Sequence, residues 1–142
     1  MIIIAFDVGD KRIGIAASDP VLHLAHPVET YFRVSTERDL QYLVQMAEER
    51  GANRIVCGLP LNADGTESEQ TRKTREFVEM LKAKTPLPVF LEDERFTTME
   101  ARRILIDADV SRGKRKKVID SIAASYILES YIGKLKSKGE LK

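Results

Sequence analysis

Acidic side chains stand where an apolar run gives out at two places in this chain. Asp7 follows Ile2-Ile3-Ile4-Ala5-Phe6, a largely β-branched run with the pattern of a strand buried on both faces. Glu92-Asp93-Glu94 follows the shorter run Val89-Phe90-Leu91. A third candidate, Asp120, opens a segment with helical apolar spacing at Ile119, Ile122, Ala123, Tyr126 and Ile127. A carboxylate at a strand tip is costly to desolvate unless it is paired or bound to a cation. Carboxylates gathered at one rim of a sheet repel, and each resists ionising until a divalent cation neutralises them. Oxygen ligands without His or Cys favour Mg2+ or Mn2+ over zinc. Such a site activates water and stabilises the leaving oxygen in phosphodiester hydrolysis. Strand alternation sets Glu92 and Glu94 on one side and Asp93 on the other, so the pattern leaves the inward ligand of that cluster open. Plainer roles compete: Asp7 capping a turn, the acid cluster solvated beside Arg95, and Asp120 interacting with a helix macrodipole.

The elements that must position these acids follow from the intervening sequence. Val8-Gly9-Asp10-Lys11 has turn chemistry, and Arg12 to Ser18 alternates again, which makes a hairpin around an acidic tip. Pro27 to Arg33 reads as a third strand, with Pro27 at its start as an edge strand tolerates. Thr36 is placed to cap a helix running to Arg50, and Gly51 to stop it. Arg54 to Leu59 is a second buried strand, followed by the loop Gly58 to Glu67 at its end and a helix from Ser68 to Lys84. The strands ending in Asp7 and Glu94 are expected to run parallel beside one another. Thr97-Thr98-Met99-Glu100 fits a capping box opening a helix to about Asp109. Ser111 to Lys117 holds five basic residues of seven and reads as a Gly-containing basic loop. The last helix is expected from about Lys116 to Leu135, with Asp120 in its first turn and Ala123-Ala124 allowing close approach to the sheet. The fold class is therefore α/β, with a mixed five-stranded sheet of three antiparallel and then two parallel strands, flanked by helices.

Four motifs carry a resemblance. DVGDKRIGIA at the start, GLPLNADGTES in the middle, DERFTTMEAR after it and VIDSIAASYIL near the end are similar, in that order, to the motifs of the YqgF/RuvX family of small bacterial RNase H-like proteins. The match spans essentially the whole chain, and four ordered motifs are far more specific than a lone DxG. The family is described both as a nuclease maturing the end of pre-16S ribosomal RNA and as a Holliday junction resolvase. The resemblance implies an RNase H-like fold, and it implies Asp7 of DVG, Glu94 of DER and Asp120 of VID as catalytic and metal-holding acids, with Mg2+ or Mn2+ as cofactor. Asp93 is the nearest competitor to Glu94. Lys11, Arg12, Asn62, Arg95, Arg112, Lys114, Arg115, Lys116 and Lys117 are expected to touch nucleic acid, the basic groups by holding backbone phosphates without reading sequence.

Composition narrows the remaining classes. With 23 basic and 22 acidic residues the net charge is +1, so nucleic-acid binding must rest on local clusters rather than on global charge. One cysteine excludes an internal disulfide, and Cys57 within IVCGL reads as a small buried hydrophobe. His23 and His26 have no second ligand type at metal spacing and read as structural or solvent-facing. The first apolar run is too short for a signal or membrane span, so a cytoplasmic protein without a membrane partner is expected, monomeric or homodimeric. Residues 1–142 are expected to form one nuclease domain with a frayed tail from about residue 136. The leading function is a metal-dependent endonuclease acting on structured RNA in ribosome biogenesis. A resolvase of branched DNA is the alternative within the same chemistry, and a non-catalytic nucleic-acid scaffold the alternative outside it. An actin-like ATPase, which shares the first motif, needs a second lobe for which the chain is too short.

Overall fold

The computed structural model describes residues 1–21, 23–94 and 112–141, with side chains in the last stretch from Ile119 onward. The apolar N-terminal run forms β1 (Ile3–Val8), and the alternation after Gly9 forms β2 (Arg12–Ser18). These two strands pair antiparallel with Asp7 opposite Gly14. β3 (Ala25–Phe32) adds to β2 and starts two residues earlier than the pattern from Pro27 suggests. The register slips between Ile15 and Ala16, where Pro27 has no N–H to give the ladder.

Helix α1 (Thr36–Glu49) leads to β4 (Arg54–Leu59), and α2 (Glu69–Lys84) leads to β5 (Val89–Asp93). Ser35, not Thr36, caps α1: its side chain accepts from the Arg38 amide. Ser68 caps α2 in a reciprocal box with Thr71. The sheet order is β3-β2-β1-β4-β5, with β4 parallel to both β1 and β5. Asp7 and Glu94 therefore do not end adjacent strands, as the sequence led one to expect; β4 lies between them. The expected helix from Thr97 and the candidate Arg95 lie outside the described residues.

The last helix, α3 (Arg112–Ser137), is longer than its apolar spacing indicates. The basic segment Arg112 to Lys117 belongs to it and is not a loop. Lys and Arg are good helix formers, and a single Gly113 costs only about 1 kcal/mol against Ala. Asp120 consequently sits two turns inside the helix, where a macrodipole at the terminus has little hold on it. The tail expected to fray from about residue 136 is described as far as Leu141. Gly139 takes a positive φ of 75°, and the Glu140 and Gly139 amides return to the Leu135 and Lys136 carbonyls. This Schellman turn tucks Leu141 beside Leu135.

Side-chain parity divides the core into two layers. Ile4, Phe6, Val8, Ile13, Ile15, Ile55 and Cys57 pack on Leu40 and Leu43 of α1 and Phe77, Val78 and Leu81 of α2. Ile3, Ala5, Ala16 and Val56 pack on Ala124, Ile127, Leu128, Tyr131 and Ile132 of α3. Asp7 shares the parity of Ile3 and Ala5, so it points to the α3 side. No helix among the described residues is long and apolar enough to cross a membrane.

Candidate active site

β1, β4 and β5 run parallel, so Asp7, the loop after Leu59 and Glu94 all come out at one rim of the sheet. On the α3 face a single row crosses four of the strands: Gly14 of β2 opposite Asp7 of β1, then Gly58 of β4 one step beyond the Phe6–Cys57 pair, then Glu92 of β5 opposite Gly58. Asp7 thus has a glycine on each side. A Cβ placed on Gly14 would lie 1.8 Å from the Asp120 carbonyl oxygen, so the α3 backbone rests directly on that strand. A Cβ on Gly58 would lie 2.6 Å from Oε2 of Glu94 and 2.4 Å from Cδ1 of Ile127. Glu94 therefore reaches over β4 towards Asp7 through the space that Gly58 leaves. That is why the two acids meet without adjacent strands.

The electrostatics record the meeting. Burial raises the Asp7 carboxyl to about 6; a hydrogen bond from Glu94 opposes that rise, and the Asp120 charge adds to it. Burial also raises Glu94, as do the charge of Asp7 and the hydrogen bond with it, and then the charge of Asp93. Two carboxylates this close resist ionising together, so the metal-free pair retains a proton more readily than either acid would alone. Asp93 has the opposite parity and shares a face with Val89 and Leu91, which pack on the α1 and α2 layer.

Asp120 is held differently. Its Oδ2 accepts from Nε of Arg12 at 2.6 Å, and both side chains are partly exposed. Arg12 was expected to face phosphate; here it neutralises the third acid. Among the described residues no three His, Cys, Asp or Glu side chains are already grouped as a metal site. Asp7 and Glu94 still fit a divalent cation, because a half-buried and a buried carboxylate that face the same gap repel when both are ionised, and a cation between them would relieve that. Asp120 fits once Arg12 lets it go.

The other predicted residues are dispersed around this rim. Lys11 is exposed on the hairpin turn next to Arg12. Asn62 is exposed in the loop after β4, where its Nδ2 donates to Thr66 Oγ1 at 2.9 Å and helps to close that loop. The side chains of Arg112, Lys114, Arg115, Lys116 and Lys117 lie outside the described residues, although their backbone is helical and leads into Asp120.

Some contributors were not singled out from sequence. Glu92, buried beside the acids, accepts from Ser130 at 2.6 Å and from Lys134 at 2.9 to 3.0 Å, which ties β5 to α3. Gly14 and Gly58 interrupt otherwise apolar strands, and a glycine inside a strand is a signal of close approach.

The profile of the family described as "RuvX: Holliday junction resolvase" matches residues 1–134. The chain belongs to this family. Among its relatives is a protein of Desulforamulus reducens named "Putative pre-16S rRNA nuclease", 46% identical over 132 residues, which are 93% of this chain and 96% of the relative. A protein of Thermoanaerobacter pseudethanolicus with the same name is 45% identical over 139 residues, covering 97% of this chain and all of the relative. The fold is that of solved resolvases. The fowlpox virus resolvase bound to Holliday junction DNA superposes with a TM-score of 0.60 over 95% of this chain and 99% of that one, at 13% identity. Thermus thermophilus RuvC superposes with a TM-score of 0.55 over 94% and 97%, at 11% identity. This RuvX-family chain is thus a nuclease with an RNase H-like fold, an enzyme that hydrolyses phosphodiester bonds.

Proposed function

We propose that the protein is a metal-dependent endonuclease that processes the 5' end of pre-16S ribosomal RNA, with Asp7, Glu94 and Asp120 as its catalytic acids. The observation that carries this reading is the approach of the Glu94 carboxylate to Asp7 through the gap at Gly58, beside the helix that bears Asp120. Asp7, Glu94 and, after release from Arg12, Asp120 would hold Mg2+ or Mn2+. Bound there, the metal supplies water activation and charge neutralisation at the scissile phosphate. The chain's own residues do the rest. The Asp7–Glu94 pair ionises, the acids present oxygens to one side, and Gly58 keeps the passage between them open. Lys11, Arg12, Arg95 and the basic start of α3 from Arg112 to Lys117 bind backbone phosphates, and Asn62 lines the neighbouring loop.

Precursor ribosomal RNA as substrate is supported by the names of the relatives. A second reading, cleavage of four-way DNA junctions, is supported by the family's description and uses the same acids. Purified protein incubated with a pre-16S transcript and with a four-way junction, each with and without Mg2+, separates the two. Mg2+-dependent cleavage of the transcript at its 5' end is expected. Cleavage of the junction alone would transfer the function to DNA, and binding without cleavage of either would favour a scaffold.

A further inference from the structure

The hairpin that carries Asp7 and Arg12 is gripped from the face opposite the acids. Its turn closes through the Gly9 amide and the Arg12 carbonyl at 2.9 Å. Arg33, just past the end of β3, reaches this turn twice: its amide donates to the Lys11 carbonyl at 2.9 Å, and its Nη1 donates to the Gly9 carbonyl at 2.8 Å. Nε of the same guanidinium donates to Oδ2 of Asp39 at 2.8 Å. Asp39 lies in the first turn of α1 and is 0% exposed. Its Oδ1 accepts from the Tyr31 hydroxyl and the Val34 amide, each at 2.9 Å. The Arg33 guanidinium also lies 5.0 Å from the centre of the Phe77 ring. Tyr31 and Phe77 belong to the α1 and α2 layer, so none of these groups faces the acids on the α3 side.

We propose that Asp39 and Arg33 are positioning residues of the nuclease site, a strut from α1 to the Gly9 carbonyl that fixes Asp7 relative to the Arg12–Asp120 pair. A guanidinium can brace two acceptors at once because its donors form a rigid fork; an ammonium on a flexible stem cannot hold both in that geometry. Gly9 lies two residues after Asp7 and three before Arg12. Whatever fixes its carbonyl therefore sets the tip from which both functional groups depart. A buried ion pair adds little net stability over an apolar replacement, so the gain from this one is in geometry. The strut rests on the reading of Asp7, Glu94 and Asp120 as the metal-holding acids.

The test compares wild type, Arg33→Lys and Asp7→Asn as full chains. Three quantities are read: affinity for the pre-16S transcript, single-turnover cleavage at saturating protein, and the Mn2+ concentration that half-saturates thermal stabilisation. The four-way junction replaces the transcript if that is what wild type cleaves. Arg33→Lys keeps a cation for Asp39 and should bind nucleic acid within about twofold of wild type, need several-fold more Mn2+, and cleave at least about tenfold more slowly. Asp7→Asn should neither cleave nor respond strongly to Mn2+. Normal cleavage and a normal Mn2+ response in Arg33→Lys, beside an inactive Asp7→Asn, would overturn the strut alone. Normal cleavage by Asp7→Asn would remove the site reading and the strut with it. If Arg33→Lys does not fold, Asp39→Asn, which keeps an acceptor for the Val34 amide, takes its place and must show the same split.

Discussion

Arg12 and Asp120, 108 residues apart in sequence, form a 2.6 Å ion pair between the second strand and the last helix. The pair occupies Asp120 with a cation of the protein's own, and the same arginine is one of those proposed above to hold a substrate phosphate. Replacing Arg12 by Gln should destabilise the metal-free protein modestly, by about 1 kcal/mol for a partly exposed pair. It should also enlarge the rise in thermal midpoint produced by Mn2+, because Asp120 no longer has to leave a partner. Differential scanning with and without MnCl2 reads both effects; an unchanged Mn2+ response would mean that Asp120 does not join the metal.

Asp7→Asn should fold as well as wild type or better and lose nuclease activity by about a thousandfold or more. The asparagine removes one of the charges that repel in the cluster, including the repulsion between Asp7 and Asp120. Thermal melts and cleavage assays on one preparation decide it. Full activity would remove Asp7 from the reaction, and loss of folding would make it structural.

The metal-free protein should become less stable as pH rises from about 5 to about 8. Asp7 and Glu94 both have folded-state values above the ordinary carboxylate range, so across that interval the native state binds more protons than the unfolded chain. Asp39 has the opposite sign. Its burial is outweighed by the Val34 amide, Arg33 and the Tyr31 hydroxyl, so its value lies below the usual range and its contribution is lost only at more acid pH. Urea titrations at several pH values should show the falling trend in wild type and a weaker one in Glu94→Gln. Saturating Mn2+ should reverse it, since the metal competes with protons for the same oxygens.

Two glycine substitutions should separate fold from function. Gly14→Ala drives a methyl group into the α3 backbone at Asp120 and should cost about 3 kcal/mol or more. Gly58→Ala meets the ends of two side chains, Glu94 and Ile127, which can turn aside. That variant should fold with a smaller loss and cleave poorly, because Glu94 no longer has its passage to Asp7. Equal effects of the two on stability would argue against the row of glycines as the frame of the site.

Neutralising Lys114, Arg115, Lys116 and Lys117 together should weaken nucleic-acid binding and flatten its dependence on salt, as fewer counterions are released. Hydrolysis at saturating substrate should change far less. An unchanged salt slope would leave this helix start as a solvated segment.

Much of the fold was legible because its signals are local. The apolar run to Phe6, the bounds of β4 and the start of α2 after Ser68 are written in consecutive residues, and Asp7 and the Glu92-Asp93-Glu94 cluster stand out at the ends of apolar runs. What sequence could not convey is lateral. Nothing near Glu94 shows that β4 intervenes before Asp7, or that Gly58 is bare on the side where the carboxylate must pass. Apolar periodicity starts α3 too late, because its first turns are basic, and Asp120 is then read into a first turn that it does not occupy. Asp39 looks like an ordinary first-turn acid of a surface helix, and its burial depends on Arg33, Tyr31 and Val34 coming round from β3.

The seating of α3 on Gly14 also bears on the order in which competence is acquired. The same helix closes the apolar face of Ile3, Ala5, Ala16 and Val56 and carries Asp120. During synthesis residues 1–94 emerge first, carrying Asp7 and Glu94 without that helix. If the three acids form the site proposed above, a growing chain, close to the ribosome's own RNA, would gain its cutting centre only as its greasy flank is sealed.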